Sequence, residues 1–168
     1  MGGSSGSGPK RSDLRKLEEV ARKTIREASE GGRRNVFISF VREDLNEVNL
    51  LRGQARNENS NLEFNDWSLR EPFDSDRADY IRQGIRERIS QSSVTLVYLS
   101  RNTAKSKWVD WEIRESIRLG KGIVAVYKGD VPPKILPRAI VENEKLVRLT
   151  SWGHSSISEA IEKSSSGI

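Results

Sequence analysis

The sequence predicts an α/β domain built on a flavodoxin-like, doubly wound, five-stranded parallel sheet of order 2-1-3-4-5, with helices on both faces. Short apolar runs alternate with segments of helical period, and parallel strands need such crossovers. Three of the runs are nearly uninterrupted, as strands buried on both faces are. The runs lie at residues 36–40, 62–64, 94–99, 123–127 and 146–149.

Four helical segments separate and follow these runs, at residues 44–55, 79–90, 106–119 and 155–163. The first begins with Asp44-x-x-Glu47, an arrangement that can cap the start of a helix. In the second, isoleucine recurs every four residues, which places the isoleucines on one face. These segments supply the two helical layers of the predicted fold.

The chain is long enough for one ordinary core and too short for two. Residues 1–10 have the Gly/Ser texture of an added linker. Residues 11–32 carry apolar or small side chains at helical spacing and stop at Gly31-Gly32, which predicts an amphipathic helix. Its apolar stripe must lie against the domain's own flank or against another copy. Residues 33–168 then form the predicted domain.

Composition narrows the classes of function. The chain lacks cysteine, which excludes disulfides, thiolate zinc sites and a cysteine nucleophile, and permits a cytoplasmic location. Its one histidine, His154, lies near the end of the chain, far in sequence from the first three predicted strands and the loops that follow them. We therefore expect no histidine catalysis and no metal site. The net charge of +5 is interleaved with acidic residues, and we expect no nucleic-acid partner. No apolar run approaches the roughly 20 residues that span a bilayer, so we expect no membrane partner.

Ligands of doubly wound sheets bind beyond the carboxyl ends of the strands, near the point where the winding reverses. Ser39 and Phe40 end the first predicted strand, where a small polar group and an aromatic face can contact ribose and a base. Ordinary strand packing is the alternative for Phe40. Asp44 follows them as a further candidate for substrate binding, with helix capping as its alternative.

The loop after the second predicted strand holds three more candidates for substrate binding, Asp66, Ser68 and Arg70. Arg70 can pair with a pyrophosphate, and a solvated loop charge is the alternative. No Gly-x-Gly-x-x-Gly or Walker-type loop is present, so the common nucleotide-binding motifs are absent.

The strongest local pattern is Ser106-Lys-Trp-Val-Asp-Trp-Glu-Ile113. Trp108 and Glu112 are four residues apart on a predicted helix, so an aromatic ring and a carboxylate share one face. Such a pair can form one wall of a site. The alternative from the pattern alone is that the tryptophans anchor the core and Glu112 is a solvated residue paired with Arg or Lys.

The run Val36-Phe-Ile-Ser-Phe40 resembles the opening strand of Toll/interleukin-1 receptor (TIR) domains. Ser106-x-Trp108-x-x-x-Glu112 resembles the third-helix motif that carries the catalytic glutamate of their NAD-cleaving members. Segments 48–51, 62–64, 68–73 and 107–113 resemble the bacterial TIR-like branch that includes the Thoeris antiphage defence sensor. The likeness covers about residues 34–130. The loop after the second strand departs from animal and plant TIR domains, since their glycine-containing motif is replaced by residues 67–73.

This resemblance implies an enzyme that cleaves the nicotinamide–ribose bond of NAD+, with NAD+ as substrate and no cofactor. It places the catalytic Glu112 beside the ribose, where a carboxylate stabilises an oxocarbenium-like transition state. It also places Trp108 beside Glu112, as a residue that binds the substrate. The product would be ADP-ribose or a cyclic product, acting as a diffusible signal to a downstream effector in antiphage or stress defence. Self-association through TIR–TIR contacts is implied as well.

Two other classes of function remain open from the sequence. A non-catalytic TIR-like interaction module would use the same fold to assemble with other proteins, and fold alone does not separate it from an enzyme. A receiver-like or flavin-binding domain ranks last. A receiver needs an aspartate at the end of the third strand, where Leu99-Ser100 stands.

Overall fold

A computed structural model of the chain describes residues 12–20, 34–57 and 78–166 and the backbone of residues 64–66. The chain divides into two units, Met1–Arg33 and Arg34–Ile168. In the first unit, residues 12–20 are helical (α1), and Leu14 and Leu17 are exposed. The proposed linker and the rest of the predicted N-terminal helix lie outside the described residues. None of the described helices is both long and apolar enough to cross a membrane.

The second unit contains a parallel sheet in which the strands lie in the order β2-β1-β3-β4-β5. Val36 of β1 lies opposite Asp66 on one side and Val94 on the other, which fixes the register at the centre of the sheet. The predicted α/β class with a parallel sheet is confirmed. The strands are β1 (Arg34–Ser39), β2 (Phe64–Asp66), β3 (Val94–Leu99), β4 (Gly122–Tyr127) and β5 (Val147–Ser151).

Helices follow the strands of the sheet and cover both of its faces. The four predicted helical segments differ from the observed helices by one or two residues at each end, where capping decides the boundary. A fifth helix, between β4 and β5, is not predicted, because five residues are too few to show a helical period. The helices are α2 (Leu45–Arg56), α3 (Ala78–Gln91), α4 (Lys107–Arg118), α5 (Arg138–Glu142) and α6 (His154–Ser165).

The side chains of β1 alternate between two separate parts of the core, as the pleat of a strand requires. Val36, Ile38 and Phe40 pack with residues of α2 and α6. Phe37, on the opposite face, packs with isoleucines of α3 and against the tryptophans of α4. Ser39 has the same parity as Phe37, so its hydroxyl is directed to the α3 and α4 side.

Gly122, at the start of β4, is the position where this packing tolerates no side chain. A Cβ built there would lie 2.3 Å from the Ser164 carbonyl oxygen in α6. We expect Gly122→Ala to lower the free energy of unfolding by about 1–3 kcal/mol, because the strand and the helix must separate. Gly84→Ala, in open space within α3, should instead raise it by about 0.5–1 kcal/mol. Urea denaturation measures both, and an unchanged midpoint for Gly122→Ala would contradict the tight approach of β4 and α6.

Candidate active site

The start of α4 lies at the edge of the sheet where the parallel strands end, because α4 follows β3 in the chain. Ser106 precedes the helix, and its hydroxyl oxygen accepts a hydrogen bond of 3.2 Å from the Val109 amide. This cap satisfies one of the free amides of the first turn. Glu112 lies about one turn further along α4, so the capped first turn holds its backbone in place.

Glu112 meets the end of β1. The Ser39 hydroxyl, on a residue that is 1% exposed, donates a hydrogen bond to Glu112 Oε2. Burial raises the pKa of Glu112 to about 8, and the hydrogen bond from Ser39 acts in the opposite direction. No Arg or Lys forms an ion pair with Glu112 in the part of the chain that the structure describes. The alternative in which Glu112 is a solvated surface residue is therefore wrong, because its carboxyl group is desolvated and bound by Ser39.

Two tryptophans of α4, Trp108 and Trp111, form an aromatic wall, and Trp108 shares a helix face with Glu112. Trp108 lies four residues before Glu112 on α4, and both tryptophans are partly buried against Phe37 and its neighbours. The rings of Trp108 and Trp111 are 5.8 Å apart and nearly perpendicular, at 86°. The interpretation of the tryptophans as core anchors and their interpretation as a wall of the site are thus compatible, since both residues are only partly buried.

Asp44 makes a second polar contact at this edge of the sheet. Its Oδ2 accepts a hydrogen bond of 2.6 Å from the Ser100 hydroxyl, which follows β3. Burial raises the pKa of Asp44, while the bond from Ser100 acts to lower it. Asp44 occupies the N-cap position of α2, as predicted, but its side chain makes no capping hydrogen bond. Asp44 instead ties the loop after β1 to the loop after β3.

Ser100 was not among the predicted site residues. A signal for it exists in the sequence, because it is the first polar residue after a fully buried strand at the point where the winding reverses. Asp44 also acts on Tyr98. Burial first, and then the charges of Asp44 and Glu47, raise the pKa of Tyr98 to about 12.

Phe40 lies on the other face of the sheet from Ser39 and is not brought together with Glu112. Its ring is 5% exposed and packs in the α2 and α6 part of the core. The Arg52 guanidinium lies 5.2 Å from the ring centre. This arrangement favours the strand-packing interpretation of Phe40.

The remaining predicted residues lie at or beyond the end of β2. Asp66 is the last residue of that strand, and its backbone pairs with Val36. Ser68 and Arg70 lie outside the described residues. Of the predicted site residues, the structure therefore brings Ser39, Trp108 and Glu112 together on one side of the sheet and places Asp44 at its edge.

Two arginines of α3, Arg82 and Arg86, lie against the aromatic wall. Neither was predicted from the sequence as a site residue. Their interleaving with acidic residues indicated solvated helix surface. One signal was present in the sequence: Arg82 and Arg86 are four residues apart on one helix, and the next helix carries two tryptophans that such arginines can contact. Within the described ranges, no group of three or more His, Cys, Asp or Glu side chains could hold a metal ion.

Comparison with known proteins gives one family match. The family model "Thoeris protein ThsB, TIR-like domain" matches residues 37–132. No curated protein sequence matches the chain. Among solved structures, the CMP N-glycosidase BcmB of Clostridium botulinum is 12% identical, with a TM-score of 0.48, and the alignment covers 77% of this chain and 98% of that one. The TIR domains of the activated Roq1 resistosome, which directly recognises the pathogen effector XopQ, are 18% identical, with a TM-score of 0.46 and coverages of 79% and 84%.

Proposed function

This chain belongs to the TIR-like domain family of the Thoeris protein ThsB, and we propose that it cleaves the nicotinamide–ribose bond of NAD+ with Glu112 as the catalytic residue. The observation that carries this proposal is the contact between Ser39 and Glu112 at the edge of the sheet. A carboxyl group that is desolvated, held by one hydroxyl and flanked by an aromatic wall is a candidate for a reaction that develops positive charge on its substrate.

The reaction requires the C1′–N bond of the nicotinamide ribose to break with its electron pair leaving on the ring nitrogen. Nicotinamide departs as a neutral molecule, so no general acid is needed. Positive charge develops on C1′ and the ring oxygen of the ribose. The ionised Glu112 stabilises that charge more in the transition state than in the ground state, which accelerates the step.

Ser39 has a positioning role in this scheme. Its hydroxyl donates to the carboxylate and so favours the ionised form that the reaction uses. Trp108 supplies a flat apolar surface next to the carboxylate, against which a ribose or a nicotinamide ring can pack. Asp44 and Ser100 hold the two loops at the edge of the sheet, so Asp44 contributes to the shape of the site.

The product follows from which nucleophile reaches C1′. Water gives ADP-ribose and a proton, whereas attack by an adenine nitrogen or a hydroxyl of the same molecule gives a cyclic ADP-ribose that contains one water molecule less. We infer that this ADP-ribose-type nucleotide is a diffusible signal to a downstream effector in antiphage or stress defence. Self-association is part of the proposal, and the exposed Leu14 and Leu17 of α1 offer an apolar surface for it.

The test is nicotinamide release from NAD+ by the concentrated full chain, with and without a crowding agent, and with the nucleotide products separated by chromatography. We expect one nicotinamide per nucleotide formed, and retention times distinguish ADP-ribose from a cyclic product. Glu112→Gln provides the blank. Absence of release from every assembled form would overturn the proposal and favour a non-catalytic interaction module.

A further inference from the structure

The aromatic wall of α4 carries a stacked arginine from α3. The Arg82 guanidinium carbon lies 5.5 Å from the ring centre of Trp108 and 5.4 Å from that of Trp111. Arg86, one turn further along α3, lies 5.5 Å from the Trp111 ring centre. Each distance is within the roughly 6 Å over which a cation is attracted to an aromatic ring. Both guanidinium groups are therefore held in place by the tryptophans.

The two arginines differ in whether a carboxylate neutralises their charge. Arg86 lies 3.5 Å from Glu115, a buried carboxylate that also contacts Arg118 at 2.8 Å. Arg82 has no carboxylate partner in residues 34–57 and 79–166, whereas the buried Nε–H of each of the two arginines makes no hydrogen bond there. A guanidinium that keeps its full charge and unused donors beside a candidate substrate site is suited to an anion.

The position of Arg82 fits one part of a dinucleotide. Arg82 lies in the second turn of α3, which precedes β3, so it stands at the same edge of the sheet as the first turns of α4. Trp108 connects it to Glu112, since side chains four residues apart on a helix are separated by about 5–6 Å at their Cβ atoms. In NAD+, the ribose that carries nicotinamide at C1′ carries the diphosphate at C5′. When Glu112 faces C1′ of this ribose, the diphosphate lies at its other end, where a cationic side chain can bind it.

We propose that Arg82 binds the diphosphate of NAD+ and thereby positions the nicotinamide ribose against Glu112. This inference rests on the proposed function. It adds a residue that binds the substrate at a distance from the bond that breaks. Arginine suits the role because its planar fork donates two parallel hydrogen bonds to phosphate oxygens. The two indole rings fix the plane of the fork before the substrate arrives, which reduces the entropy lost on binding.

The test compares two substrates that share the same glycosidic bond. NAD+ carries the diphosphate, and nicotinamide riboside does not. We expect Arg82→Gln to raise KM for NAD+ about 10- to 100-fold, as loss of a charge-assisted hydrogen bond does, with kcat little changed. Its kcat/KM for nicotinamide riboside should remain that of the parent. Arg86→Gln is the matched control and should leave the ratio between the two substrates unchanged.

A packing role for Arg82 would produce a different pattern. Equal losses on both substrates, or an unchanged KM for NAD+, would overturn the assignment. Calorimetric binding of ADP separates this inference from the proposed function, because ADP has the diphosphate and lacks the reacting bond. Binding of ADP that is lost in Arg82→Gln supports the anion site even if the parent cleaves no NAD+. Equal ADP binding by both proteins overturns it even if the parent is an active enzyme.

Discussion

Replacing Glu112 with Gln is expected to lower kcat for NAD+ cleavage by about 100- to 1,000-fold, the range for loss of one electrostatic contact to a transition state. Gln keeps the size of the side chain and can still accept a hydrogen bond from Ser39. It carries no charge, however, and cannot stabilise positive charge on the ribose. The effect should therefore fall on kcat, with KM changed much less.

Glu115→Gln is the matched control, because it makes the same chemical change on the next turn of the same helix. Burial alone would raise the pKa of Glu115, but the hydrogen bond from Arg118 and the charge of Arg86 outweigh it and lower that pKa. Glu115 faces these arginines and not Ser39. We expect its variant to lose stability and to retain activity. Comparable kcat losses in the two variants would remove Glu112 from its proposed role.

The same Glu112 variant should be more stable than the parent at alkaline pH. The folded-state pKa of about 8 lies above the ordinary value of 4.5, so the folded chain holds this proton more tightly than the unfolded chain. The parent therefore loses stability as pH rises from about 4.5 to 8. Gln mimics the neutral acid and escapes this loss. Urea denaturation should show the variant more stable than the parent by about 4 kcal/mol at pH 8, with the difference vanishing below pH 4.5.

The sequence was sufficient for the fold where burial was continuous along the chain. The buried runs that became β3 and β4 predicted strands directly, since only a sheet covered on both faces accommodates them. The short helix α5 gave no such signal. Its start is set by a contact across the fold, in which Asp110 accepts a hydrogen bond of 2.7 Å from the Ala139 amide.

The site was predictable as a set of separate candidates but not as an arrangement. Ser39 and Glu112 were each selected from local patterns, and their contact joins residues 73 positions apart. That contact depends on the pleat of β1 and the packing of α4, which a single sequence does not specify. The same pleat directs Phe40 away from the site. The role of Arg82 was hidden because an arginine stacked on indole rings and a solvated arginine have the same local sequence pattern.

The pH dependence of NAD+ cleavage gives a second large effect, centred on the Ser39 hydroxyl. Because the reaction needs the ionised carboxyl group of Glu112, kcat/KM should be low at pH 6 and rise about 10-fold per pH unit until it levels off above the pKa of about 8. Ser39→Ala removes a hydrogen bond that lowers this pKa. The rise should then move to higher pH, and most activity should return there.

Ser116→Ala is the control that separates this electrostatic role from packing. Ser116 is equally buried in α4, and its hydroxyl donates to the backbone oxygen of Glu112 at 2.7 Å and not to the carboxyl group. Its variant should lose stability without any shift of the pH profile. A profile that falls as pH rises would instead indicate that protonated Glu112 acts as a general acid. Nicotinamide leaves as a neutral molecule and needs no proton, so a falling profile on NAD+ would contradict the role proposed for the ionised carboxyl group of Glu112.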